Sequence, residues 1–193
     1  AVTAVPDDET WFAFQNGNIA SFDGISWTVH DDFPWVMTSL TVDKNNTVWG
    51  ASSAGLHKGE LNNDDIIWTH YTRKNSGIPD DYVRCTVIDE NGVVWLATRS
   101  SEGTVSMGLT RFDGNTWETR RIDGPLSYAI KSIAVDQNNI KWFGASLCGV
   151  TSFDGKTWKT YTEEDGLASN NIGIIAVDNE NVKWFTGGGI TKF

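Results

Sequence analysis

The stretch YAIKSIAVDQNNIKWFGASLCGVTSFDGKTWKTYT, residues 128–162, divides into four short strands and the turns that join them. Residues 128–136 alternate and are rich in branched side chains, the pattern of a half-buried strand. QNN (137–139) is a turn cluster, and IKWFGA (140–145) is a second strand carrying Trp142. SLCG (146–149) is a loop and VTSFD (150–154) a third strand. Asp154-Gly155 then makes a tight hairpin of the favoured Asp-Gly kind, and KTWKTYT (156–162) is the fourth strand.

The same grammar recurs along the chain. First strands reappear as MTSLTVD (37–43), YVRCTVID (82–89) and IGIIAVD (172–178), followed by the turns KNN (44–46), ENG (90–92) and NEN (179–181). Asp-Gly hairpins reappear at Asp23-Gly24 and Asp113-Gly114, whereas the second repeat has the longer NNDD (62–65). AVTAV (1–5) reads as a weak strand ahead of Trp11. Trp11, Trp49, Trp95, Trp142 and Trp184 stand 38, 46, 47 and 42 residues apart by subtraction of their positions. Trp27, Trp68, Trp117 and Trp158 follow the first four after 16, 19, 22 and 16 residues.

A period in the forties with tryptophan at fixed places marks a β-propeller, each repeat being one small antiparallel sheet. Such a sheet cannot bury both faces alone, so the sheets must stack around an axis with the tryptophans filling the gaps. The expected fold is all-β. It is a single β-propeller domain over residues 1–193, of about five four-stranded antiparallel blades. The repeats fall near 1–30, 31–72, 73–122, 123–162 and 163–193. The last stops at Phe193, the equivalent of Phe22, Phe112 and Phe153, so that blade is incomplete and lacks its fourth strand. Either the ring closes with an incomplete outer edge or the chain is cut from a longer one; a closed ring of five blades, which needs no missing blades, is the preferred expectation.

Composition narrows the function. Hydrophobic residues make up 39% and aromatics 12% of the chain, enough to pack cores between sheets, so disorder is not expected. The net charge of −10 makes nucleic acid an unsuitable partner, because phosphates need clustered Lys and Arg. No apolar run approaches a membrane span, and AVTAVPDDET lacks the basic head and apolar stretch of a signal peptide. Cys85 and Cys148 fit neither a zinc site nor a redox pair and are expected to be ordinary thiols.

Two segments add a family pattern: YTRKNSGIPDDYVRCTVIDENGVVWLAT (71–98) and TYTEEDGLASNNIGIIAVDNENVKWFTGGGITKF (160–193). Each runs from a Tyr or Thr through a Gly-Leu-like pair to a first strand ending in Asp, a Gly/Asn turn and then Trp. In this they resemble the two-component regulator propeller repeats of bacterial sensor proteins, and the resemblance covers nearly the whole chain. It implies a β-propeller serving as an extracytoplasmic sensing domain, periplasmic or secreted, in a family that includes proteins resembling glycan sensors. The chain departs from those sensors in having no histidine-kinase or membrane segment and too few repeats for their double propellers.

In an up-and-down sheet the loops alternate between two ends. Loops after first and third strands are short here, whereas those after second and fourth strands are long and varied. The long set comprises HDDFPWVM (30–37), YTRKNSGIPDDY (71–82), RIDGPLSY (121–128) and TEEDGLASNN (162–171), with an insertion at TRSSEGTVSMG (98–108). Variable loops on a rigid scaffold concentrate binding residues, so this face and the channel mouth are the expected site. Trp35, outside both tryptophan registers, either stacks on a sugar ring or tucks over the end of a blade. Tyr82 and Tyr128 open equivalent first strands near the axis, and Arg84 and Lys131 follow two and three residues on, suited to charged hydrogen bonds. Asn170 and Asn171 are candidates for binding hydroxyls.

The segments DKNNTVW (43–49), DENGVVW (89–95), DQNNIKW (136–142) and DNENVKW (178–184) look like calcium loops only superficially and read as turns. The acids Asp31, Asp32, Glu163, Glu164 and Asp165 read as solvated loop residues. No GxSxG, HExxH or CxxC pattern occurs. Of His30, His57 and His70, His57 is the candidate ligand contact and the first suspect for a general base, in a loop-to-strand position on the variable face. No catalytic residue, metal or cofactor is assigned. The leading expectation is non-catalytic binding of a carbohydrate or other small molecule. A protein-interaction scaffold and a propeller lyase or hydrolase are the alternatives.

Overall fold

In repeats two to five the first strand leads into an aspartate, and that aspartate builds the turn that follows. Asp136 Oδ1 accepts the backbone N–H groups of Asn138 and Ile140 at 2.9 and 3.0 Å, while Asn139 adopts the left-handed conformation at φ 58°. Asp43, Asp89 and Asp178 do the same, with Asn46, Gly92 and Asn181 at the left-handed position. Asn and Gly are the residues that visit this conformation cheaply. The second hairpin uses the same device. The Thr116 hydroxyl, then the Thr116 and Asn115 backbone N–H groups, hold the Asp113 carboxyl down to about 2.

The computed structural model describes residues 2–4, 9–14, 16–30, 35–62, 65–100, 106–120 and 130–193. Their strands form five successive antiparallel sheets, each in sequence order. Blade 1 comprises β1 (Val2–Ala4), β2 (Thr10–Ala13), β3 (Ile19–Phe22) and β4 (Trp27–His30). Blade 2 comprises β5 (Met37–Val42), β6 (Val48–Ser52), β7 (Gly55–Asn62) and β8 (Asp65–Tyr71). Blade 3 comprises β9 (Val83–Ile88), β10 (Val94–Arg99), β11 (Ser106–Phe112) and β12 (Trp117–Arg120). Blade 4 comprises β13 (Ile130–Val135), β14 (Lys141–Ala145), β15 (Val150–Phe153) and β16 (Trp158–Tyr161). Blade 5 has three strands, β17 (Ile174–Val177), β18 (Lys183–Thr186) and β19 (Ile190–Lys192). The protein is a five-bladed β-propeller with a short last blade.

The second-strand tryptophans fill the gaps between sheets. Trp11 meets Met37, Leu40 and Val48 of blade 2, and Trp49 meets Val94, Leu96 and Phe112 of blade 3. Trp95 meets Ile133 and Phe143 of blade 4, and Trp142 meets Ile172, Ile175 and Phe185 of blade 5. Each buried indole contributes about 4–6 kcal/mol of transfer free energy.

A polar clamp reinforces two of these gaps. Trp95 Nε1 donates to Asp89 Oδ2 at 3.0 Å, and Lys141 of the next blade pairs with the same oxygen at 3.0 Å. The Lys141 ammonium also lies 5.6 Å over the Trp95 ring, a cation–π contact. Asp136, Trp142 and Lys183 repeat the arrangement at 3.0, 3.1 and 5.5 Å. The turns are knitted as well: Asn139 and Asn181 accept the backbone N–H groups of Glu90 and Gln137 in the preceding blade.

Two expectations are corrected here. The inner strands pack in series, β1 on β5, β5 on β9, β9 on β13 and β13 on β17. Among the described residues, no packing of comparable extent joins β17 to β1, so the expected ring closure is not found. In consequence one periodic tryptophan, Trp27, is exposed. The Phe112–Trp117 and Phe153–Trp158 stacks are covered by Tyr71 and Trp95 of the preceding blades. The equivalent Trp27 on the outward side of blade 1 is 55% exposed.

Candidate ligand-binding channel

The inner strands of blades 2, 3 and 4 share an irregularity. In β5 the pairing with β6 skips Thr38, in β9 the pairing with β10 skips Arg84, and in β13 the pairing with β14 skips Lys131. A bulge of this kind leaves one residue unpaired and re-aims its side chain. Here all three line an axial cavity of about 500 Å³, with Ser39, Ser132 and Gly173 beside them. That volume lies in the range of small-ligand sites.

Three of the lining hydroxyls are engaged in joining blades. Thr38 Oγ1 donates to the carbonyls of Ala51 and Val83 at 3.2 and 3.1 Å. Ser39 Oγ donates to the Thr86 carbonyl at 3.3 Å and accepts the Thr86 N–H at 3.2 Å. Ser132 Oγ accepts the Ile175 N–H at 3.0 Å. Lys131 Nζ donates to Asn171 Oδ1 at 2.8 Å, which orients the ammonium. The ion pairs found among the described residues include neither Arg84 nor Lys131.

The sequence-derived candidates divide accordingly. Arg84, Lys131 and Asn171 come together at the channel. Tyr82 lies just before β9 with the Arg99 guanidinium 3.9 Å over its ring. Tyr128 lies outside the described residues, as do Asp31 and Asp32. Trp35 is half-buried, with its ring 4.7 Å from His57 and 4.6 Å from His70, so it tucks over the end of blade 2.

Asn170 closes its own loop. Its Oδ1 accepts the Glu163 N–H at 2.9 Å and its N–H donates to Glu163 Oε1 at 2.7 Å, so it is a loop staple. Glu163–Asp165 form a 3-10 turn in which Asp165 accepts the Thr162 N–H at 2.9 Å.

His57 requires a correction. It belongs to β7, paired between Gly50 and His70, and is fully buried, 2.8 Å from Ser52 Oγ. Burial first, and then the neighbouring His70, pull its pKa down to about 3. It is a core group held neutral, inaccessible to a ligand. Cys85 is also buried, which pushes its thiol up to about 12, and Cys148 is a free thiol.

Stacking MTSL (37–40), VRCT (83–86), IKSI (130–133) and IGII (172–175) in one column reveals what the tyrosine spacing hid. Thr38, Arg84, Lys131 and Gly173 occupy one position of the repeat, and the glycine leaves its quadrant open. A second cavity of about 490 Å³ lies between the outer edges of blades 3 and 4, near Trp95, Phe153 and Trp158. Its Arg111 is paired with Glu118 at 2.8 Å, so the charges there partly cancel.

Residues 77–100 match the family model described as two component regulator propeller. That match covers one repeat within the third blade. No curated protein sequence matches it. Among solved structures it is similar to the extracellular domain of a protein described as a hybrid two component system from B. thetaiotaomicron. The identity there is 19% and the TM-score 0.60, over 100% of this chain and 33% of that one. PorZ, a surface component of the type-IX secretion system of Porphyromonas gingivalis, matches at 15% identity and TM-score 0.71, over 100% and 31%. Virginiamycin B lyase from Staphylococcus aureus, a catalytically inactive form with quinupristin, matches at 17% and 0.69, over 100% and 68%. These likenesses establish the fold. The chain spans about a third of that extracellular domain and of PorZ. Among the described residues no helix is long and apolar enough to cross a membrane.

Proposed function

We propose that this chain is a non-catalytic ligand-recognition propeller, acting in extracytoplasmic sensing of a carbohydrate or other small molecule. Its site is the axial channel and the loop-rich mouth above it. The observation that carries this reading is the bulge repeated in three inner strands, which turns Arg84 and Lys131 into one preformed cavity of about 500 Å³. The matched repeat and the sensor-domain likeness support the extracytoplasmic assignment. A protein-interaction scaffold is the second reading, favoured by the apolar groove of about 270 Å³ on blade 1 at Phe14, Trp27 and Val29.

The test is a titration with neutral and acidic oligosaccharides and small metabolites, followed by tryptophan fluorescence. Trp35→Phe serves as a reporter control and Asn171→Ala as a site variant. Saturable binding weakened several-fold by Asn171→Ala is expected. Silence from the whole panel, with the protein folded, contradicts the ligand reading and leaves the blade 1 groove as the better explanation.

A further inference from the structure

We propose that the axial channel is an anion site, selecting small ligands by a carboxylate group. This rests on the reading of the channel as the ligand site and adds the chemistry of what enters it. Arg84 and Lys131 stand at equivalent bulged positions of adjacent inner strands and line the same cavity. The residues lining it include no carboxylate, and among the described residues neither cation has an ion-pair partner.

The neighbouring hydroxyls do not change that balance. Thr38 and Ser39 donate to backbone carbonyls, and Ser132 accepts from a backbone N–H. The polar groups left for a ligand are therefore chiefly cationic donors. A guanidinium presents a planar fork that matches a carboxylate, and an ammonium adds a point charge beside it. Asn171 holds that ammonium in place from the blade 5 side. Gly173, where β5, β9 and β13 carry Thr, Arg and Lys, leaves room for the body of the ligand.

The rest of the molecule sets the size of the anion. A net charge of −10 repels polyanions from the surface, whereas the channel offers local positive charge to a single acidic group. A sugar acid or a short aliphatic acid fits this description, and an extended polyanion does not.

Glucuronate and glucose form the matched probe pair, differing only in a carboxylate for a hydroxymethyl group; succinate supplies the acid without the sugar. Binding is followed by calorimetry and by NMR of the arginine and lysine side chains, on wild type, Arg84→Gln, Lys131→Gln and the charge-retaining Arg84→Lys. Thermal melts confirm that each variant is folded. Glucuronate is expected to bind saturably and at least tenfold more tightly than glucose. Each Gln variant should lose about tenfold or more, the scale of a charge-assisted hydrogen bond, and Arg84→Lys should lose less. Succinate binding as well as glucuronate supports the site and makes the carboxylate the whole determinant; succinate failing supports it with the sugar ring contributing.

Equal binding of glucose and glucuronate, or glucuronate binding indifferent to both Gln variants, overturns the proposal. A neutral sugar bound at the mouth, sensitive to Asn171→Ala and insensitive to Arg84→Gln, overturns the anion assignment while leaving the ligand reading intact. Absence of saturable binding by every neutral and acidic probe overturns both.

Discussion

Asp89→Ala is expected to lower the melting temperature by roughly 6–20 °C. The lower bound comes from about 3 kcal/mol for breaking a buried pair and about 2 °C per kcal/mol at this chain length; the upper comes from about 5 and 4. The carboxylate serves four donors at once: the Trp95 indole, the Lys141 ammonium and the backbone N–H groups of Asn91 and Val93. Its removal leaves a nearly buried ammonium without its counter-charge at the junction of blades 3 and 4.

The pH dependence gives the sign independently. Burial works to raise the Asp89 pKa, but Trp95, Lys141 and Val93 together hold it below the usual carboxylate value of 3.8. Its stabilising contribution is therefore complete above that value and is lost as pH falls through the lower folded pKa. Asp136, held down in the same way against the same burial cost, behaves alike. Wild type should weaken steadily below about pH 4, with a shallower slope in Asp89→Ala. A melting temperature within a degree or two of wild type contradicts the clamp.

The second large effect concerns His57 and a milder pH range. Its pKa falls from 6.5 to about 3 on folding, so the unfolded chain takes up a proton that the folded core refuses. The sign follows directly. Stability is full above about pH 6.5 and declines as pH falls towards 3, by about 1.4 kcal/mol per unit in mid-range. Between pH 6 and pH 4 the loss is about 2–3 kcal/mol on that slope. His57→Leu keeps an apolar body in the stack with Trp35 and His70 and removes the titration. Chemical denaturation at several pH values checks it: the wild-type curve should slope across this range and the variant curve should run flatter. Parallel curves contradict the neutral buried histidine.

The fold was legible because its signals are local and repeated. The tryptophan period, the Asp-Asn and Asp-Gly turns and the strand alternation each sit within a few residues, and each maps onto a blade. The exposure of Trp27 is not legible, because its burial depends on whether another blade covers it, which no local pattern records. The burial of His57 is hidden for a related reason. Gly-Leu-His-Lys reads as a loop entering a strand, but the pairing from Gly55 onward puts the ring inside the sheet stack.

The candidate site is half legible in the sequence. Arg84, Lys131 and Asn171 were named from position alone, and the structure brings them together. The offset from Tyr82 and Tyr128 hid their equivalence, since a bulge adds a residue that strand alternation cannot show. Asn170 and the Thr38, Ser39 and Ser132 hydroxyls were opaque for a different reason. Their partners lie across a loop or on another blade, so their roles exist only in three dimensions.

The most direct test of the channel is a crystal structure of the chain with glucuronate at saturating concentration. The expected result is a carboxylate bound between the Arg84 guanidinium and the Lys131 ammonium, with the ring over Gly173. A ligand seated elsewhere, on the blade 1 groove or the outer edges of blades 3 and 4, with the axis holding only water, would contradict it.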